Sequence, residues 1–164
     1  DATFLYIDVG GGSTELNIVH EGELIDSRSF NLGTIRQISG MVRDEEREAF
    51  TTYLKELSEK YPKLHLVGTG GNINKLLRLG APAERANINV LPVESLRQVA
   101  ERLRPLTPEE RMLLFRLKPD RAEVIVPAAD IFLTVASITS STEIIVPTKG
   151  LADGIVDSIC PALS

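Results

Sequence analysis

Two carboxylates, Asp8 and Glu15, bracket three consecutive glycines and a hydroxyl pair in the run Asp8-Val9-Gly10-Gly11-Gly12-Ser13-Thr14-Glu15-Leu16. Adjacent glycines leave backbone N–H groups unshielded by side chains, so several donors can approach one phosphate. Carboxylates beside such a turn suit a divalent cation, because Mg2+ prefers oxygen ligands and commonly bridges carboxylate to phosphate. The apolar run Phe4 to Val9 reads as a buried strand. A second strand opening at the hydroxyl run would form a hairpin that sets Asp8 and Glu15 side by side. The pattern is strand, phosphate loop, strand. A tight hairpin turn with Asp8 as its cap is the plainer alternative.

A second glycine run follows the apolar stretch Leu64 to Val67, as Gly68-Thr69-Gly70-Gly71. Here a strand leads into a helix, and exposed N–H groups at a helix start favour an anion. The run lacks the spacing and the lysine of a Walker loop. A tight strand-to-helix turn accounts for these residues equally well. A third segment, Thr148-Lys149-Gly150-Leu151-Ala152-Asp153-Gly154, joins the last strand to the last helix. Lys149 could meet a phosphate there as a point charge, or simply sit solvated at a turn.

The elements that must position these loops follow from periodicity. Leu16 to Asn31 reads as two strands joined at Glu21-Gly22. Gly33 to Ser39 suits a short helix. Asp44 to Lys60 is a stronger one, with Asp44 as N-cap and Phe50, Leu54 and Leu57 on one face. After the second loop a helix runs from Asn72 to Leu79, ended by Gly80 and Pro82. Val93 to Leu103 has helical spacing, and Thr107-Pro108-Glu109-Glu110 is a capping box with proline at the first helical position. Asp120 to Thr139 reads as one buried helix kinked near Pro127. Glu143 to Val146 is a last strand and Gly150 to Cys160 a last helix. Short turns make the first three strands antiparallel, and helical crossovers make the later strands parallel to the first. The expected α/β domain has a mixed five-stranded sheet in βββαβαβα order with helices on both faces. Both glycine loops then fall at the carboxyl ends of parallel strands, where ligands bind in such sheets.

Composition narrows the function classes. The 164 residues are one domain's worth of chain, 43% hydrophobic and 25% charged. A net charge of −5 disfavours nucleic acid as a partner and leaves any phosphate to be held locally, by loops and metal. No apolar stretch reaches the length of a membrane span, so no membrane partner is expected. The chain opens almost directly in a strand rather than in a basic, apolar leader. Cys160 is the single cysteine, expected to be a small buried residue. These features together give a reducing, cytoplasmic setting as the expectation. His20 and His65 lie in separate expected strands with no partner at ligand spacing, which makes both structural or surface residues.

The motifs together resemble the exopolyphosphatase and guanosine pentaphosphate phosphatase family, a branch of the actin-like, sugar-kinase and Hsp70 ATPase superfamily with a ribonuclease H-like domain. The glycine run from Asp8 to Leu16 looks like that family's second phosphate motif. Leu32-Gly33-Thr34-Ile35-Arg36 is similar to its Leu-Gly-x-x-Arg segment, and Gly68-Thr69-Gly70-Gly71 to a third motif. Leu117-Lys118-Pro119-Asp120-Arg121-Ala122 and Gly150-Leu151-Ala152-Asp153-Gly154 match two more. The resemblance runs through nearly the whole chain and implies a two-domain enzyme of which residues 1–164 are the second domain, with the first domain absent from this chain.

The resemblance implies hydrolysis of a terminal phosphoanhydride in inorganic polyphosphate or guanosine pentaphosphate. Asp8 would hold the metal, Mg2+ or another divalent cation, and Glu15 would position metal or water. Gly10, Gly11, Gly12 and Ser13 would hold the phosphoryl group, and Gly68, Thr69, Gly70, Gly71 and Lys149 would flank it. The catalytic base and the opposing phosphate loop would come from the missing N-terminal domain, so the isolated domain is expected to be inactive. A homodimer stays open as a further partner. Two departures from the family pattern stand near the site: Asn72-Ile73-Asn74 where small or hydroxyl residues are usual, and Lys149 where arginine is common. Pro127-Ala128-Ala129-Asp130 replaces a segment that usually contains glycine. Two other functions remain on this reading: a non-hydrolysing phosphate- or nucleotide-binding sensor of the same superfamily, or half of an ATP-dependent kinase.

Overall fold

The computed structural model describes residues 2–80 and 89–147. Lys149 and the expected last helix, Gly150 to Cys160, lie outside the described residues, as does Pro82.

The first three strands, β1 (Thr3–Val9), β2 (Thr14–His20) and β3 (Glu23–Phe30), form an antiparallel meander. Its second turn is Glu21-Gly22, both with positive φ (52° and 81°). The short α1 (Thr34–Ile38) and the long α2 (Asp44–Lys60) follow. The N-cap of α2 is Arg43, without a side-chain cap, rather than Asp44. Asp44 instead opens an acidic first turn with Glu45 and Glu46, which complements the helix dipole. The buried face of α2 is Phe50, Tyr53, Leu54 and Leu57, a spacing of three and four residues.

Next come β4 (Leu64–Thr69) and α3 (Gly71–Gly80), then β5 (Asn89–Pro92), α4 (Val93–Leu103), α5 (Pro108–Phe115), α6 (Pro119–Ile138) and β6 (Glu143–Val146). Thr107 and Glu110 form the capping box of α5 with both reciprocal hydrogen bonds, 3.2 and 2.9 Å. The helix α6 continues through Pro127 and is buried along most of its length. It runs against all five other described helices.

The sheet has six strands in the order β3-β2-β1-β4-β6-β5, one more than the sequence pattern gives. The additional strand, β5, is four residues long and contains Asn89 and Pro92, a composition that reads as a turn. It is tolerated because it lies at the edge, antiparallel to β6. The strands β1, β4 and β6 are mutually parallel, as the crossovers require.

Leu5, Ile7, Val9, Leu16, Ile18, Leu66, Ile144 and Val146 share one core with buried residues of α2, α3, α4 and α6. The alternate residues of the strands form a smaller cluster, Tyr6, Val19 and Val67, with Phe4 and Ile145 against it. The described helices therefore cover one face of the sheet, where the sequence pattern gives helices on both, and the site residues lie on the other; the expected last helix is outside the described residues. Among the described residues no helix is long and apolar enough to cross a membrane.

Candidate functional site

Register fixes the carboxylates first. Asp8 and Glu15 are directly opposed in the β1–β2 pair, the last position but one before the glycine turn. Directly opposed residues of neighbouring strands project from the same face. Asp8 is also in register with Thr69 of β4, and Glu15 with Ser29 of β3. One row across four strands thus reads Ser29, Glu15, Asp8, Thr69, at the carboxyl end of the parallel strands. Tyr6 and Phe4 continue the Asp8 face below it, so the carboxylates stand at the rim of an apolar patch.

The row is held by hydroxyls. Glu15 Oε1 accepts from Ser13 Oγ and from Ser29 Oγ, each at 3.2 Å. The carboxyl of Asp8 is held above the usual aspartate range, first by partial burial and then by the negative charge of Glu15. Two repelling carboxylates on one face, with the hydroxyls of Ser13 and Ser29 on Glu15 and Thr69 in register with Asp8, are an oxygen donor set suited to a hard cation. Among the described residues no group of three or more His, Cys, Asp or Glu could hold a metal by itself. Mg2+ takes one or two carboxylates from a protein and fills its other positions with waters and substrate phosphates, so Asp8 and Glu15 are the residues that could hold such an ion.

The glycine turn is built by what lies behind it. Gly10 N–H donates to Ser13 C=O at 2.9 Å and closes the hairpin. The carbonyls of Gly10, Gly11 and Gly12 all point toward the start of α1. Gly10 accepts from Thr34 N–H (3.0 Å), Gly11 from Ile35 N–H (2.9 Å) and Arg36 N–H (3.3 Å), and Gly12 from Arg36 Nε (2.6 Å). A trans peptide unit carries its N–H opposite its carbonyl. The amides of Gly11, Gly12 and Ser13 therefore point away from α1, and among the described residues none of them meets an acceptor. Close approach of two backbones makes this possible: a Cβ on Gly33 would overlap the Gly11 carbonyl, and one on Gly11 would stand 2.8 Å from Ile35 Cδ1.

The second glycine run is built differently. Gly68 lies inside the core, where a Cβ would meet Ile73 at 2.8 Å and Phe132 and Ile144 at 3.2 Å. Gly70 has φ +102° and packs against Asp8, whose Oδ1 would be 3.0 Å from a Cβ there. At Gly71 the space a side chain would take is filled by the guanidinium of Arg121. Arg121 Nη1 donates to Asn72 Oδ1 at 2.6 Å, and Asn72 Nδ2 donates to Val9 C=O at 3.3 Å. Asn72 is buried and ties α3 to the end of β1, which accounts for asparagine at that position. Asn74 Nδ2 donates back to Gly70 C=O at 2.7 Å.

Eight of the expected phosphate and metal residues converge at one end of the sheet: Asp8, Gly11, Gly12, Ser13, Glu15, Thr69, Gly70 and Gly71. Gly10 closes the hairpin with its amide, Gly68 is a packing position, and Lys149 lies outside the described residues. Arg36, Arg121, Asn72 and Ser29 carry no role in the sequence reading. Arg36 and Arg121 stand inside motif segments, so each was visible as a letter; its contact was not. His20 is far from this row, bonded through Nδ1 to Thr3 at the opposite end of β1 (2.6 Å), and His65 packs on Phe4 with ring centroids 5.3 Å apart.

A family model described as the Ppx/GppA phosphatase family matches residues 1–163. Exopolyphosphatase 2 of Mycobacterium tuberculosis is 29% identical over 143 residues, covering 76% of this chain and 44% of that protein. The crystal structure of the Aquifex aeolicus member of the Ppx/GppA family superposes with a TM-score of 0.73 at 27% identity, over 96% of this chain and 56% of that one. A Cytophaga hutchinsonii exopolyphosphatase structure shares the fold, with a TM-score of 0.70 at 22% identity, over 97% of this chain and 58% of that one. The chain spans less than half the length of the curated relative it matches.

Proposed function

The chain belongs to the Ppx/GppA phosphatase family, and from that premise we propose that it is the phosphate- and cation-holding half of a hydrolase. That hydrolase releases the terminal phosphate of inorganic polyphosphate or of guanosine pentaphosphate. The observation that carries this reading is the orientation of the glycine turn, three unpartnered amides beside two opposed carboxylates.

In the proposed reaction the amides of Gly11, Gly12 and Ser13 donate to oxygens of the terminal phosphoryl group. Thr69 and the Gly70-Gly71 turn flank it, with the Arg121 guanidinium behind Gly71. Mg2+ bound by Asp8 and Glu15 would neutralise charge on the phosphoryl oxygens, which together with positioning is most of what phosphoryl transfer asks of a protein. Glu15 is aimed by the hydroxyls of Ser13 and Ser29, which donate to its Oε1. The base that takes a proton from water is assigned to the preceding domain of a longer parent, because both carboxylates of this row are committed to the metal.

Phosphate release from long-chain polyphosphate and from guanosine pentaphosphate, with magnesium present, tests the proposal. The chain joined to its preceding domain should release phosphate, and the chain alone should not. Turnover by the chain alone would place the base within it. Binding without release by the joined protein would favour the sensor function instead.

A further inference from the structure

We propose that Arg36 is a positioning residue that locks the glycine turn with its amides facing the ligand; the inference rests on the phosphate-loop reading above. The three loop carbonyls are not held alike. Those of Gly10 and Gly11 accept from the backbone amides of Thr34, Ile35 and Arg36, and those bonds depend on chain path rather than on side chains. The carbonyl of Gly12 accepts from a side chain alone, Arg36 Nε at 2.6 Å. The same peptide unit carries the Ser13 N–H, the donor nearest to Glu15 in sequence.

Among the described residues no other hydrogen bond holds that unit. The nearest atom to a Cβ built on Gly12 is Arg36 Nε itself, at 4.0 Å, so the turn is open there. Glycine has no Cβ to hinder rotation of the flanking dihedrals. Without Arg36, the Gly12–Ser13 peptide is free to turn over and present a carbonyl oxygen where a phosphate oxygen should sit. The guanidinium thus converts a flippable glycine peptide into a fixed donor. Its planar, always-charged group makes a strong hydrogen bond to a carbonyl at little cost in order.

The chemistry of the side chain supplies a clean test. In glutamine the terminal amide nitrogen lies as many bonds from Cα as Nε does in arginine, so Arg36→Gln keeps a donor at the same reach and removes the charge. Arg36→Met has similar length and no donor. The probe is inorganic phosphate, titrated by calorimetry into the chain and both variants. The Ser13 amide shift and hydrogen exchange are recorded without phosphate. Arg36→Met should weaken phosphate binding about tenfold, as loss of one charged hydrogen bond does. It should also move the Ser13 amide and speed its exchange before any phosphate is added. Arg36→Gln should stay within about threefold of the parent chain, with Ser13 close to its original shift. Equal loss in both variants with an unmoved Ser13 amide would overturn the clamp and make Arg36 a source of charge. Wild-type affinity and an unmoved amide in Arg36→Met would overturn it too. Absence of phosphate binding in the parent chain would refute the phosphate-loop reading, and the phosphate-free Ser13 amide would then decide the clamp by itself.

Discussion

The two glycine runs look interchangeable as letters and do opposite work as structures. In Gly10-Gly11-Gly12 the missing side chains let a second backbone, Gly33 to Arg36, press against the turn and take its carbonyls. The amides are left facing out. In Gly68-Thr69-Gly70-Gly71 the missing side chains make room for protein atoms: Ile73, Phe132 and Ile144 at Gly68, Asp8 at Gly70, Arg121 at Gly71. The first run is a donor cradle. The second is a joint that lets β4, α3 and α6 close on the carboxylate row. Glycine count does not separate the two; the partners of the carbonyls and the space beside each Cα do.

The largest effect expected breaks the site itself. Asp8→Asn in the joined protein removes the carboxylate nearest both loops, and phosphate release should fall by at least about a hundredfold, the scale of lost metal-assisted charge stabilisation. Far-ultraviolet circular dichroism should stay unchanged, because Asp8 stands at the rim of the sheet and outside the hydrophobic core.

Two glycine replacements then set the runs against each other. Gly33→Ala should push the first turn out of shape, lower stability by about 1–3 kcal/mol from overpacking, and abolish phosphate binding. Gly68→Ala should cost a similar amount, about 1–3 kcal/mol, through its clash with Ile73, and leave phosphate affinity of the first turn unchanged. Urea unfolding and phosphate calorimetry on both variants check this; equal loss of binding in both would erase the distinction. Gly12→Ala, with open space around it, should alter stability by less than about 0.5 kcal/mol.

A smaller effect concerns charge. The folded-state pKa of Asp8 is raised, so ionising Asp8 costs folding free energy. Its contribution to stability falls as pH rises from the ordinary aspartate value through the raised one. Glu15→Gln removes the repulsive part and should bring the Asp8 pKa down, and magnesium should do the same in the parent chain. Carboxyl carbon shifts followed through an acid titration read both. An Asp8 pKa unmoved by Glu15→Gln and by magnesium would separate the two carboxylates as functional partners.

Much of this was legible in the sequence because it rested on local signals. The alternation in Phe4 to Val9 put Asp8 on the face of Tyr6, and the hairpin length put Glu15 opposite Asp8. The capping box of α5 and the limits of α4 also followed from spacing. The rest depended on contacts between segments far apart in the chain. Nothing in Leu32 to Arg36 says that its amides would be spent on the carbonyls of Gly10 and Gly11, and the Arg36 side chain on that of Gly12. The role of Asn72 needed Val9 and Arg121 on either side of it. The strand β5 was hidden because Asn89 and Pro92 are turn formers, and only the exposed edge of β6 makes a strand of them.

The central claim, that the first glycine run is the donor cradle and the second is a joint, has one direct test. Nitrogen-15 amide spectra of the chain are recorded while inorganic phosphate is added in the presence of magnesium. The account predicts saturable shifts that are largest at Gly11, Gly12 and Ser13, with Gly68 unmoved. Shifts centred on Gly68 to Gly71, with Gly11 to Ser13 unmoved, would contradict it.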